Sequence, residues 1–123
     1  MSTITRFEDL KCWKESRILT REIYKMSSKG ILTTEFDTRN QLRRSALSSM
    51  NNIAEGFARF HRKDFKRFLD ISQSSTAEVK SMLYVLEDLN YYDKGILNDM
   101  HEQVDKTRSL TLGMIRYLDK NPK

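Results

Sequence analysis

An all-α fold, an antiparallel up-down-up-down four-helix bundle, is predicted by three features of the sequence. Apolar residues recur at alternating spacings of three and four along most of the chain, which places them on one face of each helix. Residues that break helices are scarce, with 4 Gly and 1 Pro in 123 residues. Charged residues make up 32% of the chain and apolar residues 38%, a balance that suits helices buried on one side and wet on the other.

The first helix is predicted over about residues 8–27, with Cys12, Ser16, Leu19, Ile23 and Met26 on its buried stripe and Trp13, Thr20 and Tyr24 beside it. Ser27-Ser28-Lys29-Gly30 ends it, because glycine takes a left-handed conformation at little cost. After a connector, Asp37 or Thr38 is expected to cap a second helix over about residues 38–59. Leu42, Ala46, Ser49, Ile53 and Phe57 form its core stripe, and Gly56 marks its weak final turns. An adjacent face carries Gln41, Ser45, Ser48, Asn52, Glu55 and Arg59, mostly small and polar, so another helix can approach it closely.

The third helix, about residues 62–90, buries Phe65, Phe68, Leu69, Ser72, Thr76, Val79, Leu83 and Leu86. Ile71, Met82 and Leu89 widen that face beyond what one bundle needs, and with the polar stripe of helix two they predict a homo-oligomer. The fourth helix, about residues 94–119, buries Leu97, Met100, Val104, Thr107, Thr111, Met114 and Leu118, and the Pro122 tail is expected to fray. Short connectors make consecutive helices antiparallel neighbours. The length fits one domain over residues 1–123.

Enzymatic chemistry has little to rest on. Neither His61 nor His101 has an acidic residue three positions before it, as the inward Glu-x-x-His pairs of di-metal bundles require, and both are expected on the surface. Cys12 is the one cysteine and lies on a core stripe, where a buried thiol is expected rather than a nucleophile. No phosphate-binding glycine loop, metal site or cofactor motif is present. With no apolar run near the ~20 residues of a membrane span and no leader pattern, a cytoplasmic protein is expected.

Charge is the informative feature. Residues 1–38 carry 7 basic and 6 acidic side chains, residues 39–67 carry 8 and 2, and residues 68–123 carry 7 and 9. Arg39, Arg43, Arg44, Arg59, Arg62, Lys63, Lys66 and Arg67 supply the excess and are the candidate nucleic-acid-binding residues. Four of them open helix three, where the helix dipole disfavours positive charge and Asp64 offsets only part of it, so local stability does not explain them. Phe57, Phe60 and Phe65 interleave the cluster, although Phe57 and Phe65 are in core register. Either a solvated face or a footprint for phosphates fits this pattern.

The run Gln41-Leu42-Arg43-Arg44-Ser45-Ala46, then Asn52-Ile53-Ala54-Glu55-Gly56, Arg59, Asp64-Phe65, Phe68-Leu69 and Ile71 resembles the 23S rRNA intervening-sequence proteins, as does the opening Phe7-Glu8-Asp9-Leu10 with Trp13. The chain departs from that pattern by lacking a Pro before helix two, by His61 where a Ser cap stands, and by Ser74 where a Gly stands. The resemblance implies a bundle that assembles into a ring of five, with no known catalysis. More distant relatives are the accessory proteins of diversity-generating retroelements, which are basic and bind a reverse transcriptase together with nucleic acid. A non-enzymatic oligomer that binds RNA or DNA through phosphates is therefore expected, with a reverse transcriptase as a conceivable protein partner. A protein-interaction scaffold is the alternative.

Overall fold

The computed structural model describes residues 4–59 and 61–121. Four helices carry the fold: α1 (Lys11–Ser27), α2 (Phe36–Phe57), α3 (Arg62–Asp88) and α4 (Lys94–Lys120). Each packs against its neighbours in chain order, and α1 closes the ring against α4. The pairing is antiparallel throughout. Thr20 and Ser27 of α1 meet Ala46 and Arg43 of α2, Gln41 and Ser49 of α2 meet Glu78 and Ser72 of α3, and Lys66 and Lys80 of α3 meet Asp119 and Asp105 of α4.

Three helix ends, Ser27, Arg62 and Lys94, lie where the sequence predicts them; the other five differ by one to three residues, and two of these differences have clear causes. Residues Phe7–Asp9 form a 3-10 turn instead of the start of α1, because Phe7 packs edge-on against Trp13 at 5.1 Å and Leu10 turns into the core in an extended conformation. Neither Asp37 nor Thr38 caps α2. Both lie inside the helix, which begins at Phe36 after a 3-10 turn (Gly30–Thr33) pinned by the buried Leu32. Asp37 still sits in the first turn, where the helix dipole favours a carboxylate. Gly30 has the expected left-handed conformation, φ 70°. Asn90 shares it, φ 56°, and ends α3 in a Schellman arrangement: its N–H reaches the Glu87 carbonyl and the Tyr91 N–H reaches that of Leu86. The Phe60 and Pro122 expectations fall outside the described residues.

Two apolar clusters fill the bundle. Leu19, Ile23, Leu42, Val79, Leu83, Leu86, Leu97 and Val104 belong to the larger one, and Leu10, Cys12, Ile53, Phe65, Leu69 and Leu118 form the other. Burial pushes the Cys12 thiol up to about 11, which fits the inert buried cysteine expected from its stripe position. Between the clusters lies a layer of buried hydroxyls, and each finds an acceptor, a backbone carbonyl for all but Ser45, which donates to Glu78. Ser16 and Thr111 bond within their own helices, whereas Thr20 also reaches the Ala46 carbonyl, Ser72 that of Ser49, and Thr107 that of Glu15. Small side chains let the backbones close in, and full satisfaction removes the desolvation cost that an unpaired hydroxyl would carry.

The first half of the polar stripe of α2 is engaged within the chain. Ser48 shares a 2.8 Å hydrogen bond with Ser75, while Ser45 and Gln41 donate to the two carboxylate oxygens of Glu78 at 2.8 Å. Gln41, Ser45 and Ser48 are thus engaged by α3, the close helix approach that the small side chains predict, and are not spare surface for oligomer contacts, whereas Glu55 and Arg59 stay exposed. Gly56 belongs to the same approach, since a Cβ there would lie 2.5 Å from the Phe68 Cβ. The glycine is required by packing, and it lies in the last turn of α2, which ends at Phe57 as its position predicts.

Candidate nucleic-acid interface

The eight candidate cations fall at different ends of α2. Arg39, Arg43 and Arg44 precede Arg59 by fifteen to twenty residues, so at 1.5 Å per residue they stand about 22 to 30 Å from it along the axis. One compact cluster of eight does not form. The structure brings together Arg59, Arg62, Lys63, Lys66 and Arg67 around the α2–α3 turn, beside the C-terminal end of α4.

The upstream three have separate surroundings. Arg43 donates to the Ser27 and Ser28 hydroxyls at 2.8 and 3.1 Å and lies 4.5 Å over the Tyr24 ring, which binds α2 to the end of α1. Arg39 stacks on Phe36 at 4.9 Å and donates to the Asn40 side chain. Arg44 is exposed and makes no ion pair among the described residues.

At the turn, tertiary contacts explain what helix-local reasoning left unexplained. His61 flanks α3 without a capping bond, so cations do open an uncapped helix. Yet Arg62 donates to the Asn121 carbonyl at 2.6 Å, and Lys66 pairs with Asp119 at 2.6 Å. Both serve the C-terminal end of α4, where exposed carbonyls and the dipole attract positive charge. Arg59 pairs with Glu55 at 3.8 Å and Arg67 with Asp64 at 4.0 Å, and both guanidinium groups lie within 5.1 Å of the Phe68 ring centre. Lys63 is exposed without an ion pair among the described residues. Adjoining shallow grooves between α3 and α4 are lined by Lys63, Lys66 and Asp119, one flanked by Arg62 and the other by Arg67.

These ion pairs are solvent-exposed on both sides. Lys66 and Asp119 each keep about half of their side-chain surface in water. Such pairs contribute about 0 to 1 kcal/mol, so a phosphate can take the place of the carboxylate at small cost. Of the interleaved aromatics, Phe57 and Phe65 pack inward, as their core register predicts: Phe65 is buried and meets Phe57 edge-on at 5.6 Å. Within the motif, Ile53 is fully buried, Ala54 is half-buried on α2, Glu55 serves Arg59, and Asn52 donates to Ser48.

His101, expected on the surface, is mostly buried against α3. Its side chain is 13% exposed, stacked on Tyr84 at 4.6 Å, with Nδ1 3.2 Å from the Lys80 ammonium and Nε2 3.4 Å from a Glu87 oxygen without a hydrogen bond. Its sequence neighbours are acidic, but α3 faces it and supplies Lys80. Among the described residues no three His, Cys, Asp or Glu side chains are placed to hold a metal, and no helix is long and apolar enough to cross a membrane. What the sequence reading passed over is α1, whose seven-to-six segment balance hides cations at positions 14, 17, 21 and 25. Their helical spacing was the available signal.

Known proteins agree with this architecture. The chain is similar over 85% of its length to a crystal structure of a protein with unknown function from the S23 ribosomal protein family of Bacteroides thetaiotaomicron, covering 95% of that chain with a TM-score of 0.77 and 20% identity. At that identity the likeness establishes the fold. No curated protein matches the sequence. The family described as 23S rRNA-intervening sequence protein matches residues 8–113, which span α1 to α3, most of α4 and both ends of the cation-rich segment. By that match the chain belongs to the 23S rRNA-intervening sequence protein family.

Proposed function

We propose that this protein is a non-enzymatic, self-associating bundle that binds nucleic acid, RNA foremost, through phosphate contacts at the α2–α3 turn. The observation that carries the reading is the group Arg59, Arg62, Lys63, Lys66 and Arg67, gathered at one end of the bundle with ion pairs that are exposed and weak. The family description names 23S rRNA, which supports RNA as the class of ligand. Contacts of this kind read charge and spacing without base identity.

Charge reversal tests it. Lys63→Glu, Lys66→Glu and Arg67→Glu together are expected to weaken binding to RNA of every sequence alike. The slope of log affinity against log salt should fall by roughly 0.7 to 0.9 for each contact removed. The fold is expected to persist, because the Lys66–Asp119 and Arg67–Asp64 pairs that the reversal breaks are exposed and contribute about 0 to 1 kcal/mol each. Fluorescence anisotropy at several salt concentrations reads the result, and a reversed variant that binds like the wild type would assign the turn to solvation alone.

Self-association is supported by an apolar strip along one flank of α3, where Ile71, Val85 and Leu89 are 40%, 50% and 52% exposed. Covering such side chains is favourable at ~25 cal/mol per Å². Light scattering at micromolar concentration is expected to return a multiple of 14.6 kDa, five being the number that the family resemblance implies. A monomer mass would remove oligomerisation from the account.

A further inference from the structure

Counted by helix pair, the charge divides unevenly. Residues 11–57, which contain α1 and α2, carry nine basic and five acidic side chains, whereas residues 62–120, which contain α3 and α4, carry ten of each. The net positive charge of the helices thus belongs to one half of the bundle. Within α2 and its start, residues 38–54 include Arg39, Arg43 and Arg44 and no acid. On α1, Lys14, Arg17, Arg21 and Lys25 are all exposed. Spacings of three, four and four set them in one line along the outward face of the helix.

The acids of α1 stand to the side of that line. Glu15 turns to α4, where it accepts from Gln103 at 2.9 Å and pairs with Lys106 at 3.6 Å. Glu22 is the near counter-charge, 3.1 Å from Arg21 and 4.0 Å from Lys25. Arg6, paired with Glu8 and Asp9 at 3.6 and 3.8 Å, extends the line beyond the helix start. A groove runs beside it, lined by Arg6, Glu8, Trp13, Lys14, Arg17 and Arg21. Arg17 lies 5.6 Å from the centre of the Trp13 ring, so an aromatic face and a guanidinium fork are offered together.

We infer that the outward face of α1, from Arg6 through Lys14, Arg17 and Arg21 to Lys25, is a second phosphate-binding track for a nucleic-acid strand. The inference rests on the reading that this protein binds nucleic acid and adds a surface separate from the α2–α3 turn. From Lys14 to Lys25 the helix advances about 17 Å, the length of about five base steps of a duplex. A straight run of cations of that length matches a regularly charged backbone. The two arginines match phosphate oxygens bidentately, and Trp13 beside them gives a base or sugar an apolar wall.

Trp13 is the one tryptophan of the chain and lines this groove; because it also packs on the cluster of Ile53 and Phe65 beneath the α2–α3 turn, its response is assigned by comparing variants of the two surfaces. A twelve-nucleotide oligouridylate is titrated into the full-length protein at low salt, followed by Trp13 fluorescence and by anisotropy of the labelled RNA. The wild type and the Lys63→Glu, Lys66→Glu, Arg67→Glu variant are both expected to show the Trp13 response. Lys14→Glu, Arg17→Glu and Arg21→Glu together are expected to lose it, to bind at least tenfold more weakly, and to lower the salt slope by about 2 to 3. The neutral pair Arg17→Gln and Arg21→Gln should fall between them, which keeps the test valid if the triple reversal does not fold. If folded α1 variants bind with the affinity and slope of the wild type, this inference fails while the turn keeps its role. If only the turn variant binds normally, the inference stands and the turn is displaced as the site. A wild type that binds no RNA overturns both. Displacement of the RNA by polyglutamate at equal charge concentration would make α1 a surface for acidic protein and overturn the assignment.

Discussion

Ile53→Asp is expected to abolish cooperative thermal unfolding of the bundle. Ile53 is fully buried on α2 against the cluster of Leu10, Phe65, Leu69 and Leu118, and the cations of the α2–α3 turn lie outside that cluster, on exposed pairs. An aspartate there loses the apolar contacts of isoleucine, about 2 to 3 kcal/mol. It also brings a carboxylate with no partner, which costs several kcal/mol more. The total is comparable with the ~5 to 15 kcal/mol that holds a domain of this size together. Circular dichroism on heating checks it, and an unchanged midpoint would show that this face of α2 is not buried in solution.

Gly56→Ala is expected to produce the second-largest loss, although alanine in an ordinary helix interior is worth about 0.5 to 1 kcal/mol over glycine. The added carbon would meet the Phe68 Cβ at 2.5 Å, the Phe65 ring at 3.2 Å and the Phe68 ring at 3.3 Å. A Cβ is fixed to its backbone, so relief requires α2 and α3 to move apart along a seam of short hydrogen bonds. Overpacking of this kind costs about 1 to 3 kcal/mol. For a chain of this length that lowers the melting midpoint by roughly 5 to 20 °C. A raised midpoint would mean that α2 and α3 are further apart than described.

The contrast between these two positions shows what the amino-acid sequence makes legible. Ile53 is readable because its burial follows from the period of its own helix, and so are the hydroxyls of Ser16, Ser49, Ser72 and Thr107, which sit at core spacings. Gly56 is not readable. Its role depends on how closely Phe68 approaches, and no property of α2 encodes that distance. The same limit governs the candidate interface. Which cations lie near one another could be read within a helix, but Lys66 meets Asp119 across fifty-three positions, and Arg62 meets Asn121 across fifty-nine. His101 was misplaced for the same reason: Lys80 and Tyr84 reach it from α3. Charge counted by segment pointed to residues 39–67, whereas charge counted by packed half points to α1 and α2, because the fold sets α1 beside α2 and sets α3 beside the acids of α4.

The start of α2 adds a case in which local chemistry was outweighed. Asp37 and Thr38 are good capping residues, worth about 1 kcal/mol at a helix start. Burial of a leucine is worth about 2 to 3 kcal/mol. Leu32 fixes the path of the connector by entering the core, the helix begins at Phe36, and both capping candidates are carried inside it.

The claim that phosphates are the ligand is tested most directly by the salt dependence of wild-type binding. Fluorescence anisotropy with two RNAs of unrelated sequence, from ~50 mM salt upward, is expected to give parallel straight lines of log affinity against log salt. Their slope should correspond to several released counterions for each subunit. No binding at ~50 mM salt, or an affinity indifferent to salt, would contradict the account and leave a bundle that acts through protein contacts alone.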